Sequence, residues 1–259
     1  MTSFTAEWLS LREPADAAAR SDALAAGFAG TASHIVDLAS GTGANIRYLA
    51  PRLGGDPQWL AVDHDPRLLA ALAPPAGARV STLRLDLARA LDDLPLGACD
   101  LVTASALLDL VSASWLHRLA ARCAEARVGV LFALTYDGRI EWSPAEEGDE
   151  LVRTLVNRHQ LGDKGFGPAL GPGAAAAASA AFTAVGYEGR EESSDWNLGP
   201  ESFALQTALI DGWTANAIET ASAEANVLRD WAKRRRAHVA AGHSRLRVGH
   251  LDISGTPVG

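Results

Sequence analysis

A glycine turn between an apolar run and a helical segment constrains the fold of this chain more than any other feature. The run His34–Ala39 has the composition of a strand, and the turn Ser40–Gly43 places two glycines where the backbone must bend sharply. The segment that follows has apolar residues at helical spacing and stops at Gly54. Strand, turn and helix in this order predict the first unit of a parallel α/β sheet.

Strand-like and helical segments continue to alternate after this unit. Further strands are predicted at Trp59–Val62, Val80–Leu85, Asp100–Ala104 and Val128–Thr135. A helix is predicted from Trp115 to about Ala124, with Ser114 as its cap. Strands that alternate with helices indicate a mostly parallel sheet covered by helices.

The two ends of the chain add helical segments to this pattern. Residues 5–28 are predicted to be helical, with Pro14 near a helix start. The pattern loosens after Tyr136, and a helix is then predicted around Leu151–Arg158. We find neither an internal repeat nor a clear linker, so we predict one domain over residues 1–259. Its parts are a helical cap at 1–32, a cofactor-binding core at 33–136 and a substrate-side half at 137–259.

Composition and charge exclude several classes of protein. The net charge is −8, which disfavours nucleic acid as a partner, and we interpret the basic run Lys233–Arg236 as a solvated helix face. Cys99 and Cys123 match no zinc motif and favour a reducing compartment, so we expect a cytoplasmic protein. No N-terminal signal peptide and no membrane span is expected, since the alanine run 174–178 is far shorter than the roughly 20 residues required. The spacing of His238, His243 and His250 gives no reason to expect a metal.

Acidic residues beside the glycine turn indicate which ligand it binds. Asp37 precedes the turn in the pattern D-x-x-x-G-x-G, and Asp63 ends the next strand, where a carboxylate can accept both hydroxyls of a ribose. A dinucleotide fingerprint requires a third glycine, and Ile46 stands in its place. A carboxylate near the turn suits a cationic amino-acid group and repels a pyrophosphate. The pattern therefore favours S-adenosylmethionine over NAD.

The segment around Asp37 resembles motif I of the class I S-adenosylmethionine-dependent methyltransferases. The resemblance covers roughly residues 33–136 and implies a Rossmann-like, seven-stranded, mostly parallel α/β sheet with helices on both faces and an antiparallel last strand. In that fold Tyr187–Leu198 and Arg245–Ile253 are the last two strands. The unusual feature of this chain is a helical insertion between them at about 200–243, predicted from helical sequence that breaks near Ala221. The resemblance also implies S-adenosyl-L-methionine as cofactor and S-adenosyl-L-homocysteine as product.

The resemblance assigns roles to the residues that match the family pattern. Asp37 serves the methionine amino group, Asp63 holds the ribose, and His64 lies against the adenine. Asp86 accepts from the adenine amino group. Backbone contacts and room for the cofactor come from the remaining matches, which are Ala39, Gly41, Thr42, Gly43, Leu87 and Ser105.

The acceptor is expected beyond the carboxyl ends of the strands, where the N-terminal helix, residues 137–173 and the insertion form variable walls. A polar, glycine-rich stretch around residues 157–168 has the composition of a lid or of a solvated connection. Arg12 or Arg20 suits a carboxylate of the cofactor or acceptor, with surface ion pairing as the alternative. Trp142 is a candidate pocket wall, although tryptophans are more often core. The candidate substrate-binding residues are Arg12, Trp142, Asn157, Lys164 and Phe166.

Two residues are candidates for a general base. His159 is the first, because histidine titrates near neutral pH, and Asp109, which follows the fourth strand, is the second. Either is equally interpretable as a structural residue. The sequence predicts O- or N-methylation of a small molecule by a monomer or homodimer. An RNA or protein methyltransferase, a non-catalytic S-adenosylmethionine-binding module and a nicotinamide enzyme remain the alternatives, and the acceptor itself is not specified.

Overall fold

The computed structural model describes residues 4–258, and a mixed sheet forms its centre. Five parallel strands are β1 (His34–Leu38), β2 (Gln58–Asp63), β3 (Arg79–Arg84), β4 (Leu101–Ser105) and β5 (Gly129–Ser143). Three more are β6 (Tyr187–Ser193), β7 (Trp196–Leu198) and β8 (Arg245–Pro257). The order is β3-β2-β1-β4-β5-β8-β6; β8 is antiparallel to β5, and β7 pairs with β8 beside β6. The expected mostly parallel Rossmann-like sheet with an antiparallel last strand is confirmed.

Helices cover both faces of the sheet. They are α1 (Ala6–Ala19), α2 (Asp22–Ala26), α3 (Ala44–Leu53), α4 (Pro66–Ala70), α5 (Ala113–Ala126), α6 (Asp149–Gln160), α7 (Ala174–Ala184), α8 (Phe203–Thr220) and α9 (Ala225–Ala240). Side chains of β1 alternate between the faces: Val36 and Leu38 pack with α5 and α7, whereas Ile35 packs with α2 and α3. None of the described helices is both long and apolar enough to cross a bilayer.

The predicted helical insertion consists of two helices, α8 and α9, which separate at Ala221 as expected. They pack with α6 around the far end of β5, where Trp142 contacts the rings of Trp213 and Trp231 edge-on. Arg235, fully buried, pairs there with Asp149. The insertion thus forms a second apolar core beside the sheet.

Strand β5 continues eight residues beyond its predicted end at Thr135. Its pairing with β8 shifts register between Phe132 and Thr135 and again between Tyr136 and Ile140, so bulges interrupt the alternating pattern without ending the strand. The predicted strand Tyr187–Leu198 is divided into β6 and β7.

Two local predictions about helix starts were wrong. Pro14 lies inside α1 on its exposed side, where solvent can satisfy the carbonyl that the missing N–H leaves free. Helix α5 is capped by Ser112, whose Oγ accepts from the Trp115 N–H at 3.3 Å, and Ser114 lies within its first turn. The single domain over 1–259 stays a prediction, and residues 1–3 and 259 lie outside the described range.

Candidate functional site

The turn between β1 and α3 brings backbone close to the cavity at the carboxyl ends of the strands. Gly41 and Gly43 have φ of 54° and 85°, and Ala39 also has a positive φ of 51°. A Cβ on Gly41 would come within 2.9 Å of the Leu9 side chain of α1, so the positive φ and this close contact both favour glycine here. Ser40 ties the turn to both neighbouring strands, because its hydroxyl donates to the Asp37 carbonyl at 2.6 Å and accepts from the Val62 N–H at 3.0 Å.

Asp37 is a fully buried carboxylate at the end of β1. Its Oδ1 accepts from the Thr103 hydroxyl at 2.8 Å and from the Asn45 amide, whereas its Oδ2 has no hydrogen-bond partner. Burial raises the pKa of Asp37 to about 6, although hydrogen bonds from Asn45 and Thr103 and the charge of Arg20 act in the opposite direction. An unpartnered buried oxygen in a cavity wall indicates a missing donor, such as the ammonium group of a ligand.

Arg20 extends this buried network from the end of α1. Its Nη1 donates to the Asn45 Oδ1 at 2.6 Å, its guanidinium lies 4.0 Å from the centre of the Tyr48 ring, and its Nε has no partner. Burial lowers the pKa of Arg20, and the charges of Asp252 and Asp37 oppose that shift. Arg20 thus has a free N–H donor and Asp37 a free acceptor oxygen in one buried network. Such a pair can bind the carboxylate and the ammonium group of a zwitterion.

Asp63 couples the turn to β2. Its two oxygens accept from the N–H groups of Gly41 and Asp65, each at 2.9 Å, and its side chain is only 6% exposed. His64 is half exposed, with Nδ1 3.3 Å from the Asp63 carboxylate. Each carboxylate oxygen keeps a further lone pair for a ligand hydroxyl.

Asp86 and Leu87 follow β3 at the same edge of the sheet. Asp86 accepts from the Ala88 N–H at 3.1 Å and remains about one-third exposed. The Leu87 carbonyl accepts from the Trp115 indole at 2.6 Å, whereas its N–H has no partner within residues 4–258. A free N–H next to a carboxylate acceptor suits the edge of an aminopurine.

One cavity brings these groups together. Nine of the ten predicted cofactor residues line it, namely Asp37, Ala39, Gly41, Thr42, Asp63, His64, Asp86, Leu87 and Ser105. Gly43, the tenth, begins α3 with its left-handed backbone and is not part of the lining. The cavity lies where the strand order reverses between β1 and β4, the usual ligand position in such sheets.

The predicted acceptor residues divide into two groups. Arg12, Lys164 and Phe166 line the cavity. Trp142 is packed in the second core, and Asn157 is engaged by the Tyr136 hydroxyl and by the Gly138 carbonyl. Neither of these two lines the cavity, because each points into the packing around β5 and α6.

The two predicted bases also differ. His159 lies between Lys164, 3.3 Å from its Nδ1, and Glu219, 3.5 Å from its Nε2, and it does not line the cavity. Burial and the charge of Lys164 lower the pKa of His159. Asp109 is buried and, like His159, does not line the cavity, although Leu107 and Leu110, which are close to it in the chain, do. Burial raises its pKa to about 6 against the opposing charges of Arg12 and Lys164.

Sequence reasoning missed part of this site. Leu9 and Asp16 from α1 and Asn45 from α3 line the cavity, and no motif marks them. The Asp16 carboxylate accepts hydrogen bonds from the Arg12 guanidinium and from the Trp196 indole, and these bonds hold α1 over the site. Such contacts depend on how α1 docks, so spacing along the chain does not reveal them.

The basic run of α9 is engaged in ion pairs. Arg234 pairs with Glu146, Arg235 with Asp149, and Arg236 with Asp211. These arginines do not line the cavity. The prediction that this run forms a solvated helix face is wrong for Arg235, whose side chain is fully buried.

Comparison with known proteins places this geometry in context. Residues 35–127 match the family model of the methyltransferase domain, which spans β1 to the end of α5. No curated protein matches the chain. A cyclopropane-fatty-acyl-phospholipid synthase-like protein from Lactobacillus casei is similar in structure, with a TM-score of 0.52 and 15% identity over 97% of this chain and 93% of that chain. A putative type II methyltransferase from Anaeromyxobacter dehalogenans has a TM-score of 0.51 and 14% identity over 91% and 94%. At such identities the likeness to these two structures shows the fold.

Proposed function

We propose that this chain is a class I S-adenosylmethionine-dependent methyltransferase, which the match of residues 35–127 to the methyltransferase domain supports, and that it methylates an oxygen or nitrogen atom of a small molecule. One observation carries the proposal. The cavity that Asp37, Asp63 and Asp86 line continues to Arg12, Lys164 and Phe166, so cofactor and acceptor groups face one space. Alignment of two reactants in such a space lowers a barrier by roughly 7–11 kcal/mol.

The residues present fit S-adenosylmethionine. Asp37 would hold the amino group of its methionine part, and Arg20, which lines an adjoining cavity that shares Asn45 and Ser105 with the first, would hold its carboxylate. Asp63 would hold the ribose, and Asp86 with the Leu87 N–H the adenine. When bound, the cofactor supplies a methyl group on a sulfonium that needs no further activation. The protein's own task is therefore to orient the acceptor, exclude water and remove a proton.

Helix α1 supports a small acceptor. Leu9 lies against the glycine turn, and Arg12 and Asp16 form the wall of the cavity on the same helix. A macromolecular acceptor would require this helix to move away. We therefore propose that the acceptor is enclosed beneath α1.

We propose Asp109 as the proton acceptor in place of His159. Asp109 is close in the chain to Leu107 and Leu110 of the cavity wall, and the charges of the cavity-lining Arg12 and Lys164 act on it. Its raised pKa suits a base that works near neutral pH. His159 is held between Lys164 and Glu219, and neither it nor Asp109 is part of the cavity lining. It orients the Lys164 ammonium, which donates to the His159 carbonyl at 3.0 Å.

The alternatives find less support. An RNA methyltransferase would use a free basic surface, and the arginines of α9 are paired with acidic residues. A non-catalytic module would not require a polar acceptor side in the same cavity. We also propose a cytoplasmic location, on the basis of two unpaired cysteines, and a monomer or homodimer.

Calorimetry with S-adenosylhomocysteine tests the cofactor site. Replacement of Asp63 by alanine should weaken binding at least tenfold, because a charge-assisted hydrogen bond contributes about 1.5–3 kcal/mol. Asp56→Ala is the matched control, since Asp56 is an exposed aspartate paired with Arg79 away from the cavity. Equal affinity of the Asp63 variant and the wild type would reject the site.

A further inference from the structure

The acceptor half of the cavity combines apolar walls with cations. Leu107, Leu110 and Phe166 supply the apolar surface, and Arg12 and Lys164 supply the charges. Phe166 is held in place by an edge-on contact with Trp115 at 5.4 Å. The chemistry of these five side chains restricts the acceptor further than the proposed function does, and the inference below rests on that function.

Among the described residues, Lys164 is a cation of this wall without a close ion pair, although the charges of Glu219 and Asp109 act on it from a distance. The chain has two lysines, and Lys233 lies exposed on α9. The Lys164 ammonium donates to the His159 carbonyl at 3.0 Å and lies 3.3 Å from His159 Nδ1. Within residues 4–258 no carboxylate lies within 4.0 Å of it, so one of its three N–H groups has no partner.

The loop that carries Lys164 is built to hold it in position. The Asp163 carboxylate accepts from the N–H groups of Gly165 and Gly167 at 2.6 and 3.0 Å. Both glycines have positive φ, which the tight turn requires. The position of the ammonium therefore follows from the backbone around it as well as from His159.

Arg12 offers a second donor group on the opposite element, α1. Its Nε and Nη2 are bound to Asp16, at 2.9 and 3.1 Å, and its guanidinium lies 5.0 Å from the centre of the Trp196 ring. Its Nη1 forms no hydrogen bond within the described part of the chain. Two N–H groups of a nearly buried guanidinium are thus free beside the cavity.

We propose that the methyl acceptor is a small carboxylic acid with an apolar body, whose carboxylate binds Lys164 and Arg12. The free N–H groups of these two cations supply the donors that a carboxylate accepts, and Leu107, Leu110 and Phe166 contact the apolar body. A cationic amine is the opposite alternative. It finds less support because Asp16 is already bound to Arg12 and Trp196, and the buried Asp109 does not line the cavity.

Site-resolved lysine labelling tests this inference on the wild-type protein. The protein is saturated with S-adenosylhomocysteine, labelled with acetic anhydride, and analysed by mass spectrometry with benzoate, hexanoate or the neutral benzamide present. We expect one or both carboxylates to slow acetylation of Lys164 at least fivefold and benzamide to have no effect. Lys233 should react at the same rate throughout and serves as the internal control.

Calorimetry then measures the contribution of each cation. Lys164→Met and Arg12→Met should each lower about tenfold the affinity for the carboxylate that slowed acetylation, because each loses one charge-assisted hydrogen bond. The affinity for S-adenosylhomocysteine should be unchanged in Lys164→Met. Lys233→Met should leave both affinities unchanged. Equal protection by benzamide, protection by benzylamine instead, or absence of protection by both carboxylates would each overturn the carboxylate inference while the methyltransferase function stands. Failure of S-adenosylhomocysteine itself to bind would reject the function and the inference together.

Discussion

The buried carboxylate of Asp37 makes the stability of the cofactor-free protein dependent on pH. Its pKa is about 6 in the folded protein and 3.8 as the ordinary value. Folding therefore favours the protonated form, so the stabilising contribution is complete below about pH 3.8 and is lost as pH rises through about 6. A difference of about two pKa units corresponds to about 3 kcal/mol of unfolding free energy over the whole range.

Replacement of Asp37 by asparagine isolates this effect. Between about pH 5 and pH 7.5 the wild type should lose about 1.4 kcal/mol of unfolding free energy that the variant keeps, because only about one pKa unit of the difference falls in that window. Any fixed cost of the new amide cancels, since the comparison is between two slopes. Asp109, whose pKa is also raised to about 6, is present in both proteins and cancels as well.

Urea denaturation at both pH values, followed by tryptophan fluorescence, measures the two slopes. Asp56→Asn is the control, and it should retain the wild-type slope because Asp56 is exposed. Identical pH dependence of the wild type and the Asp37 variant would refute the reasoning, since it would mean that the Asp37 carboxylate is ionised without cost in the folded state.

The same carboxylate links cofactor affinity to pH. An ammonium group beside the Asp37 oxygen lowers the pKa of that carboxyl, so binding near pH 6 should release a fraction of a proton. Calorimetry of S-adenosylhomocysteine in two buffers of different ionisation enthalpy counts these protons. We expect affinity to rise with pH through about 6 in the wild type and to stay flat in Asp37→Asn.

Three further predictions concern other buried charges. Arg20→Met should weaken S-adenosylhomocysteine about tenfold in calorimetry but leave adenosine, which has no carboxylate, unchanged. Arg235→Met should lower the unfolding free energy by about 3–5 kcal/mol because it strands Asp149 in the second core, whereas the exposed Arg236→Met should change it by less than about 1 kcal/mol in urea titrations. In a methyl-transfer assay with an identified acceptor and saturating S-adenosylmethionine, which removes the effect of Asp37 on cofactor affinity, kcat/KM for the acceptor should rise with pH through about 6 as Asp109 loses its proton. This limb should vanish in the residual activity of Asp109→Asn.

The cofactor half of the site could be predicted because it depends on local sequence order. Asp37 lies near the end of β1, Asp63 ends β2 and Asp86 follows β3, and parallel strands end at one edge of the sheet. Once the strands are recognised, topology alone brings these carboxylates together. The same reasoning placed the insertion and its break near Ala221, because periodicity and chain breaks are local signals.

The fold predictions that failed depend on contacts between distant segments. The end of β5 is set by its partner β8, which keeps pairing through two bulges, so the sequence after Tyr136 loses its alternation while the strand continues. The start of α5 depends on which of two serines caps it, and it is the Ser112 hydroxyl that accepts a hydrogen bond, from the Trp115 N–H. Two good caps two residues apart cannot be distinguished by composition.

The acceptor half of the cavity depends on how distant helices pack on the sheet. This explains why only some of the predicted acceptor residues line the cavity. Lys164 and Phe166 were predicted because they are polar and aromatic groups on a glycine-rich loop. Both line the cavity, since this loop itself forms part of the cavity wall. Trp142 carried an equally aromatic signal, but the insertion packs over β5 and encloses it with Trp231. The role of a side chain on the extended part of β5 thus depends on which element packs over it. Here the position of α8 and α9 decides whether that side chain contacts a ligand or the core. Substitutions that loosen the packing of α8 and α9 should therefore lower the free energy of unfolding before they weaken binding of the acceptor.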